Sequence, residues 1–146
     1  MNIRLMTIDD YEEVYALWMS CAGMGLNNLD DSKEGMEKIL KRNPETCFVA
    51  EADNTIVGVI IVGNDGRRGY IYHTAVNPQY RKQGIAKSLV DTAMSTLQKI
   101  GINKAALVVF DRNEIGNDFW GKMGFTVRDD LTYRNKALVE IIRTDT

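Results

Sequence analysis

The chain of 146 residues is poor in cysteine, histidine and proline, has no excess of basic charge and holds no long apolar run. Each shortage excludes a class. Cys21 and Cys47 stand in unrelated contexts without Cys-x-x-Cys spacing, and His73 is the only histidine. A disulfide framework and a His-rich metal site are therefore excluded, so no metal is expected. Lys plus Arg number 18 against 20 Asp plus Glu, a formal charge of −2 and a sequence pI near 5.4. A nucleic-acid partner would call for a strongly basic domain, so none is expected. The longest apolar run, Ile56 to Val62, is interrupted by Gly58 and falls far short of the roughly 20 residues of a membrane span. The first residues, MNIRLMTIDDYEE, turn acidic at once and contain no apolar leader core. A reducing, cytoplasmic setting without membrane contact is the expectation. Pro44 and Pro78, each beside an asparagine, are the only prolines, and no linker-like stretch divides the chain. Residues 1–146 therefore read as one domain, large enough to bury about 70% of its unfolded surface.

What is present is a chain 45% apolar and 26% charged, with the charge unevenly spread. Residues 1–53 carry a balance of −6 and residues 54–146 a balance of +4. Asn2 to Met6 reads as a strand, and Thr7-Ile8-Asp9-Asp10 has the spacing of a helix start with a capping carboxylate. The helix that follows places Tyr11, Val14, Tyr15, Trp18 and Cys21 on one face, and Gly23 to Asn28 breaks it. Asp30 to Arg42 is a second amphipathic helix. Thr46–Ala52, Thr55–Gly63 and Gly69–Val76 read as strands joined at Asp53-Asn54 and Asn64-Asp65-Gly66, an antiparallel meander. A helix over 84–99 leads to Lys104–Phe110, which has the composition of a buried parallel strand. Asn113 to Met123 is a last helix, and strands near Phe125–Arg128 and Tyr133–Glu140 finish the chain. The order β-α-α-βββ-α-β-α-ββ predicts an α/β fold, a mixed sheet with helices on both faces.

The chemistry concentrates in Tyr72-His73-Thr74-Ala75-Val76-Asn77-Pro78-Gln79-Tyr80-Arg81-Lys82-Gln83-Gly84-Ile85-Ala86-Lys87. A strand ends at a proline turn, a basic segment follows, and a glycine opens a helix. A helix start carries unpaired N–H groups and partial positive charge, which suits an anion. Gly84 lets a phosphate approach the backbone, and Arg81, Lys82 and Lys87 add cationic side chains. The dinucleotide pattern GxGxxG and the Walker pattern are both absent.

Arg81-Lys82-Gln83-Gly84-Ile85-Ala86 resembles the Arg/Gln-x-x-Gly-x-Gly/Ala motif of the GNAT acetyltransferases. Ala75-Val76-Asn77-Pro78 is similar to that family's cofactor strand and turn. Asn113-x-x-Gly116-x-x-Phe119-Trp120-x-Lys122-x-Gly124-Phe125 is similar to its later helix and Gly-Phe pair. The element order matches as well, so the likeness spans the chain. It implies acetyl-CoA as co-substrate, with the backbone of Gln83 to Lys87, Ile85 and Ala86 included, holding the pyrophosphate. It implies that Thr74 and Val76 pair with the pantetheine arm, that Asn113 contacts it from the opposite wall, and that the cofactor strand splays from 104–110. A neutral primary amine would attack the thioester, with a strand N–H near Thr74 stabilising the developing oxyanion.

At two points the chain departs from the family pattern. Trp120 stands where many relatives have a proton-donating tyrosine; an indole can wall the site or orient the sulfur but is no usable acid. Tyr133, a water or unassisted release of thiolate are the substitutes. The strand also lacks the glutamate some relatives carry, with Tyr70 at the matching position. His73 is the remaining candidate base, although strict alternation turns it away from Tyr70, Tyr72 and Thr74. Trp18, Met24, Asp30, Asp31 and Tyr72 are candidate acceptor contacts, weighed against plain packing. The acceptor would be a small-molecule amine, a peptide N-terminus or a lysine; the acidic cluster Asp30, Asp31, Glu34 and Glu37 would favour a cationic one. A non-catalytic acyl-CoA-binding or sensor domain of the same fold is the alternative. A homodimer is compatible with the likeness, although no residue specifies a symmetric interface.

Overall fold

In the central strands, alternate residues face opposite layers, and the helices on each side are amphipathic to match. The computed structural model describes residues 1–145. Its elements run β1 (Asn2–Leu5), α1 (Tyr11–Met19), α2 (Lys33–Arg42), β2 (Phe48–Ala52), β3 (Thr55–Ile60), β4 (Val62–Asn64), β5 (Gly69–Ile71), β6 (Ala75–Val76), α3 (Ile85–Lys99), β7 (Ala105–Ala106) and α4 (Glu114–Lys122). Val49, Ile56, Val59 and Ile61 pack with Val14, Leu17, Trp18 and Met36 of α1, α2 and the adjoining layer. Phe48, Ala50, Val57, Ile60 and Val62 pack with Ile85, Leu89, Ala93 and Leu97 of α3 on the other side. The expected mixed sheet between helical layers is what the chain forms.

Strands β1, β2, β3 and β6 pair antiparallel in that order, and β4, β5 and β7 form a second ladder. The two expected strands 55–63 and 69–76 are each interrupted, at Ile61 and at 72–74. The Tyr72 N–H to Ile61 carbonyl bond, 2.8 Å, bridges the interruption. The expected turns are present: Asp53 and Asn54 both take positive φ, +53° and +59°, and the Asp65 carboxylate accepts the Arg67 and Arg68 N–H groups. Asp10 accepts the Thr7 N–H at 2.8 Å, and Arg4 clamps both Asp10 oxygens while its Nε donates to Glu51. That clamp ties the helix start to β1 and β2 and holds the Asp10 carboxyl below its usual range.

Two expectations fail at the C-terminal end. Lys104–Phe110 is not a buried parallel strand: only Gly69↔Ala105 and Tyr70↔Ala106 pair, in parallel, and Val108 is 58% exposed. Strands near Phe125–Arg128 and Tyr133–Glu140 are not formed among the described residues. The tail bonds instead to the loop after α1. The Asn28 N–H donates to the Ile142 carbonyl, the Thr144 N–H to the Leu26 carbonyl, and Asp145 accepts from Gly25 and Leu26. Without a strand on its far side, 107–110 is only half-buried at Leu107 and Val109 and exposed at Val108 and Phe110. Apolar composition alone could not show which neighbour would be missing.

Helix α3 lies close over the sheet because Gly58 and Gly69 have no side chains. A Cβ on Gly58 would meet Ile85 Cγ2 at 2.9 Å and Leu89 Cδ1 at 3.0 Å; one on Gly69 would meet Leu97 Cδ1 at 2.7 Å. Gly58→Val should overpack this contact and cost about 1–3 kcal/mol, read from the urea midpoint. An unchanged midpoint would contradict the close approach.

Candidate active site

Past Ala106 the parallel pairing ends, and 107–110 and 71–74 stand on opposite sides of a cavity of about 950 Å³. On the strand side the ladder fixes which backbone groups face it. Ala75 pairs with Val59, and the Asn77 N–H donates to the Val57 carbonyl at 2.8 Å, so these residues are turned toward β3. By the alternation of an antiparallel ladder, Thr74 and Val76 turn their N–H groups to the opposite, unpaired edge. The Thr74 N–H has no partner among the described residues, and β6 ends its sheet on that side. The Cys21 thiol approaches the Val76 carbonyl at 3.7 Å.

Just beyond the proline turn, Gly84 caps α3 in a left-handed conformation, φ +78°, with nothing within 4 Å of a would-be Cβ. Lys82 also has positive φ, +62°. The first N–H groups of α3 therefore point outward past a bare glycine, where partial positive charge gathers. Arg81 and Lys82 are exposed, and no ion pair engages them among the described residues. Lys87 is tied to Asp91 at 2.7 Å. Ile85 turns its side chain into the core, so only its backbone is available to a ligand.

The structure brings Met24, Asp30, Asp31, Tyr72, His73, Thr74, Asn113, Trp120 and Tyr133 to the lining of one cavity. Trp18 is not among them: it is fully buried, and its indole N–H has no partner among the described residues. Residues 81–87 and Val76 lie outside the cavity lining, farther along the same strand and turn. The alternation argument about His73 fails because 72–74 is not regular strand; Tyr72, His73 and Thr74 all reach the cavity. His73 Nε2 lies 2.7 Å from Asp31 Oδ1, and its ring stands edge-on to Trp18 with centroids 5.1 Å apart. Asn113 Oδ1 caps α4 by accepting the Gly116 N–H at 2.9 Å, which leaves its Nδ2 for another partner. A Cβ on Gly116 would strike that same Asn113 side chain at 2.5 Å, so the cap depends on the glycine. Trp120 is held between Phe119 and Phe125, at centroid distances of 5.0 and 5.2 Å.

The sequence reading missed part of the wall. Lys38 and Arg42, one turn apart on α2 beside Ile39, line the cavity, whereas Glu34 and Glu37 do not. Glu37 pairs with Lys41 instead. The acidic cluster expected to receive an acceptor is thus divided, and the wall carries both signs of charge. The i, i+4 spacing of two cations flanking an apolar helix face was the available signal. Tyr70 also lines the cavity; burial first, then Tyr133 and Tyr72, push its phenol up to about 12. Burial, with Asp30 and Tyr133, raises Tyr72 as well. Cys47 is buried and its thiol is pushed up to about 11, in keeping with a packing role.

Residues 11–125 match the model of the acetyltransferase (GNAT) family. An acetyltransferase of Yersinia pestis is 32% identical over 96% of this chain and 98% of its own length. The N-acetyltransferase PaiA of Thermoplasma acidophilum, solved in complex with coenzyme A, superposes with a TM-score of 0.76 at 25% identity, covering 88% of this chain and 91% of that one. Ard1 of Thermoplasma volcanium gives a TM-score of 0.78 at 21% identity, over 87% and 83% of the two chains. A family match over most of the chain, joined to a sheet that opens beside a glycine-capped helix start, settles the classification: the chain belongs to the GNAT family of acetyltransferases.

Proposed function

We propose that this protein, acting as a single domain, transfers the acetyl group of acetyl-CoA to a primary amine in a ternary complex. The observation that carries the reading is the unpaired edge of β6 running into the bare N-terminus of α3. An open strand edge accepts an extended ligand with amide groups, and a helix start accepts a phosphate. Pantetheine joined to a pyrophosphate offers both in that order. The PaiA relative was solved with coenzyme A, which supports the same ligand here.

The residues fit such a ligand. Thr74 and Val76 would pair with the pantetheine amides, and Asn113 Nδ2 would reach it from the facing wall. The N–H groups from Gln83 to Lys87 would hold the pyrophosphate, with Arg81 and Lys82 adding charge and Gly84 keeping the approach clear. Bound acetyl-CoA supplies an acyl carbon that the amine nitrogen can attack. The Thr74 N–H is free to stabilise the charge developing on the carbonyl oxygen. Trp120 walls the cavity, and Tyr133, at the same wall, is the candidate donor to the departing sulfur. Met24, Asp30 and Tyr72, with Lys38 and Arg42, would surround the acceptor. A wall of mixed charge suits a small amine with more than one polar group better than a simple polycation.

Acetyl-CoA should raise the melting temperature, whereas ATP and NAD should not; the reverse order would refute the reading. Gly84→Glu should remove cofactor binding by placing an anion at the pyrophosphate, while Gly84→Asn, which tolerates positive φ, should retain much of it. Equal affinity in both variants, read by calorimetry, would place the phosphate elsewhere. Thiol release in the presence of an amine panel separates enzyme from sensor: tight cofactor binding with no release from any amine would favour a sensor. Trp120→Tyr should increase turnover if the native chain lacks an efficient acid. No change in kcat would leave that role with Tyr133, water or unassisted release.

A further inference from the structure

The cavity wall contains a histidine–carboxylate contact that links two distant parts of the chain. Asp31, at the end of the loop after α1, is 4% exposed, and its Oδ1 lies 2.7 Å from His73 Nε2. Its other oxygen, Oδ2, accepts the Asn27 N–H at 2.8 Å, and its carbonyl accepts the Tyr11 hydroxyl at 2.7 Å. The carboxylate is therefore held by its own loop, and the Asp31 backbone by α1, before His73 is considered. A carboxylate bonded in this way can only accept, so the hydrogen-bond network assigns the ring proton of neutral His73 to Nε2. Nδ1 is then left with a lone pair. It makes no hydrogen bond among the described residues and, unlike the Trp18 indole N–H, is not sealed from solvent. Edge-on contact with Trp18 fixes the plane of the ring.

We propose that His73 Nδ1 takes the proton from the acceptor's ammonium group, with Asp31 as the positioning residue that fixes the ring and its tautomer. The inference rests on the acetyl-transfer reading and names the proton path on its amine side. An ammonium nitrogen has no lone pair and cannot attack. One proton passes to Nδ1 and from there to solvent; the neutral amine forms the C–N bond as the C–S bond breaks, and the amine's second proton ends on the released thiol. The other titratable or charged groups at the cavity serve this step poorly. Tyr70, pushed up to about 12, and Tyr72, also raised, keep their protons at neutral pH and can only donate. Lys38 and Arg42 face the cavity from α2 as cations. Asp30 accepts from Asn27 Nδ2 at 3.1 Å, and Tyr133 comes from the tail. A positioned imidazole with a free lone pair is the group at this cavity suited to accept a proton.

The single histidine makes the tautomer directly readable, because nitrogen-15 spectra of the untagged chain contain one imidazole and need no assignment. The neutral ring should show the proton on Nε2 and a bare Nδ1; a proton on Nδ1 would overturn the proposal without any activity measurement. His73→Gln should lower kcat/KM by about 10²-fold or more and abolish the loss of activity on the acid side of the pH profile. Asp31→Asn can donate its amide to Nε2, moving the ring proton to Nδ1, and should show the same deficit with the histidine still present. Acetyl-CoA affinity should be unchanged in both variants. An acid limb that persists in His73→Gln would show that another group takes the proton. A fall in melting temperature alone, with native kcat/KM, would make the pair purely structural and overturn the proposal. Failure of the native protein to bind acetyl-CoA would instead refute the reading beneath it, a result calorimetry distinguishes from either.

Discussion

The parallel pairing between β5 and β7 lasts for two registers and then stops. The rest of the site depends on that short ladder. Backbone N–H and C=O groups must find partners, and a strand whose neighbour diverges is left with an unsatisfied edge. Here the edge belongs to Thr74 and to β6, whose Ala75 and Val76 are fixed on their other side against β3. The same strand ends at Asn77, whose side chain accepts the Gln79 N–H and starts the turn toward α3. Tyr80 then bonds Asp53 at the β2–β3 turn, which anchors the segment before the helix begins. The open edge and the helix start are therefore held at fixed positions by the same antiparallel sheet.

Precision at the helix start comes from the close packing of α3 over Gly58 and Gly69, which determines where its N-terminus falls. At the cavity it comes from the loop between α1 and α2. Gly35 lets that loop fold tightly onto the start of α2, since a Cβ there would strike the Leu29 and Asp30 carbonyl oxygens. Ser32 caps the helix through the Gly35 N–H, and Asn27 accepts from the Leu29 and Asp30 N–H groups. The C-terminal segment adds a second tie through Asp145, which accepts from Gly25 and Leu26. A loop otherwise free to move is thus fixed at both ends, and Asp31 meets His73 from it.

The parts of this arrangement legible in the sequence are those written in local residue order. A glycine after Arg81-Lys82-Gln83 with a helix pattern behind it gives the bare helix start seen at Gly84, and the turns at Asp53-Asn54 and Asp65-Gly66 follow from residues that tolerate their geometry. The order of strand-like and helix-like segments announced a sheet with helices on both faces. The His73–Asp31 contact was hidden because its partners are 42 residues apart and because strand periodicity lapses at 72–74. Lys38 and Arg42 were visible as residues but not as cavity wall. The apolar stretches after Lys104 suggested strands because period and composition report what a segment could do. They say nothing of whether a neighbour is present to pair with it.

The account stands on the claim that the open edge of β6 is completed by the cofactor. Amide hydrogen exchange read residue by residue, with and without acetyl-CoA, tests this most directly. The Thr74 and Val76 N–H groups and those at the start of α3 should exchange freely in the unliganded chain and gain protection together on binding. Binding that leaves the Thr74 and Val76 amides as exposed as before would contradict the account.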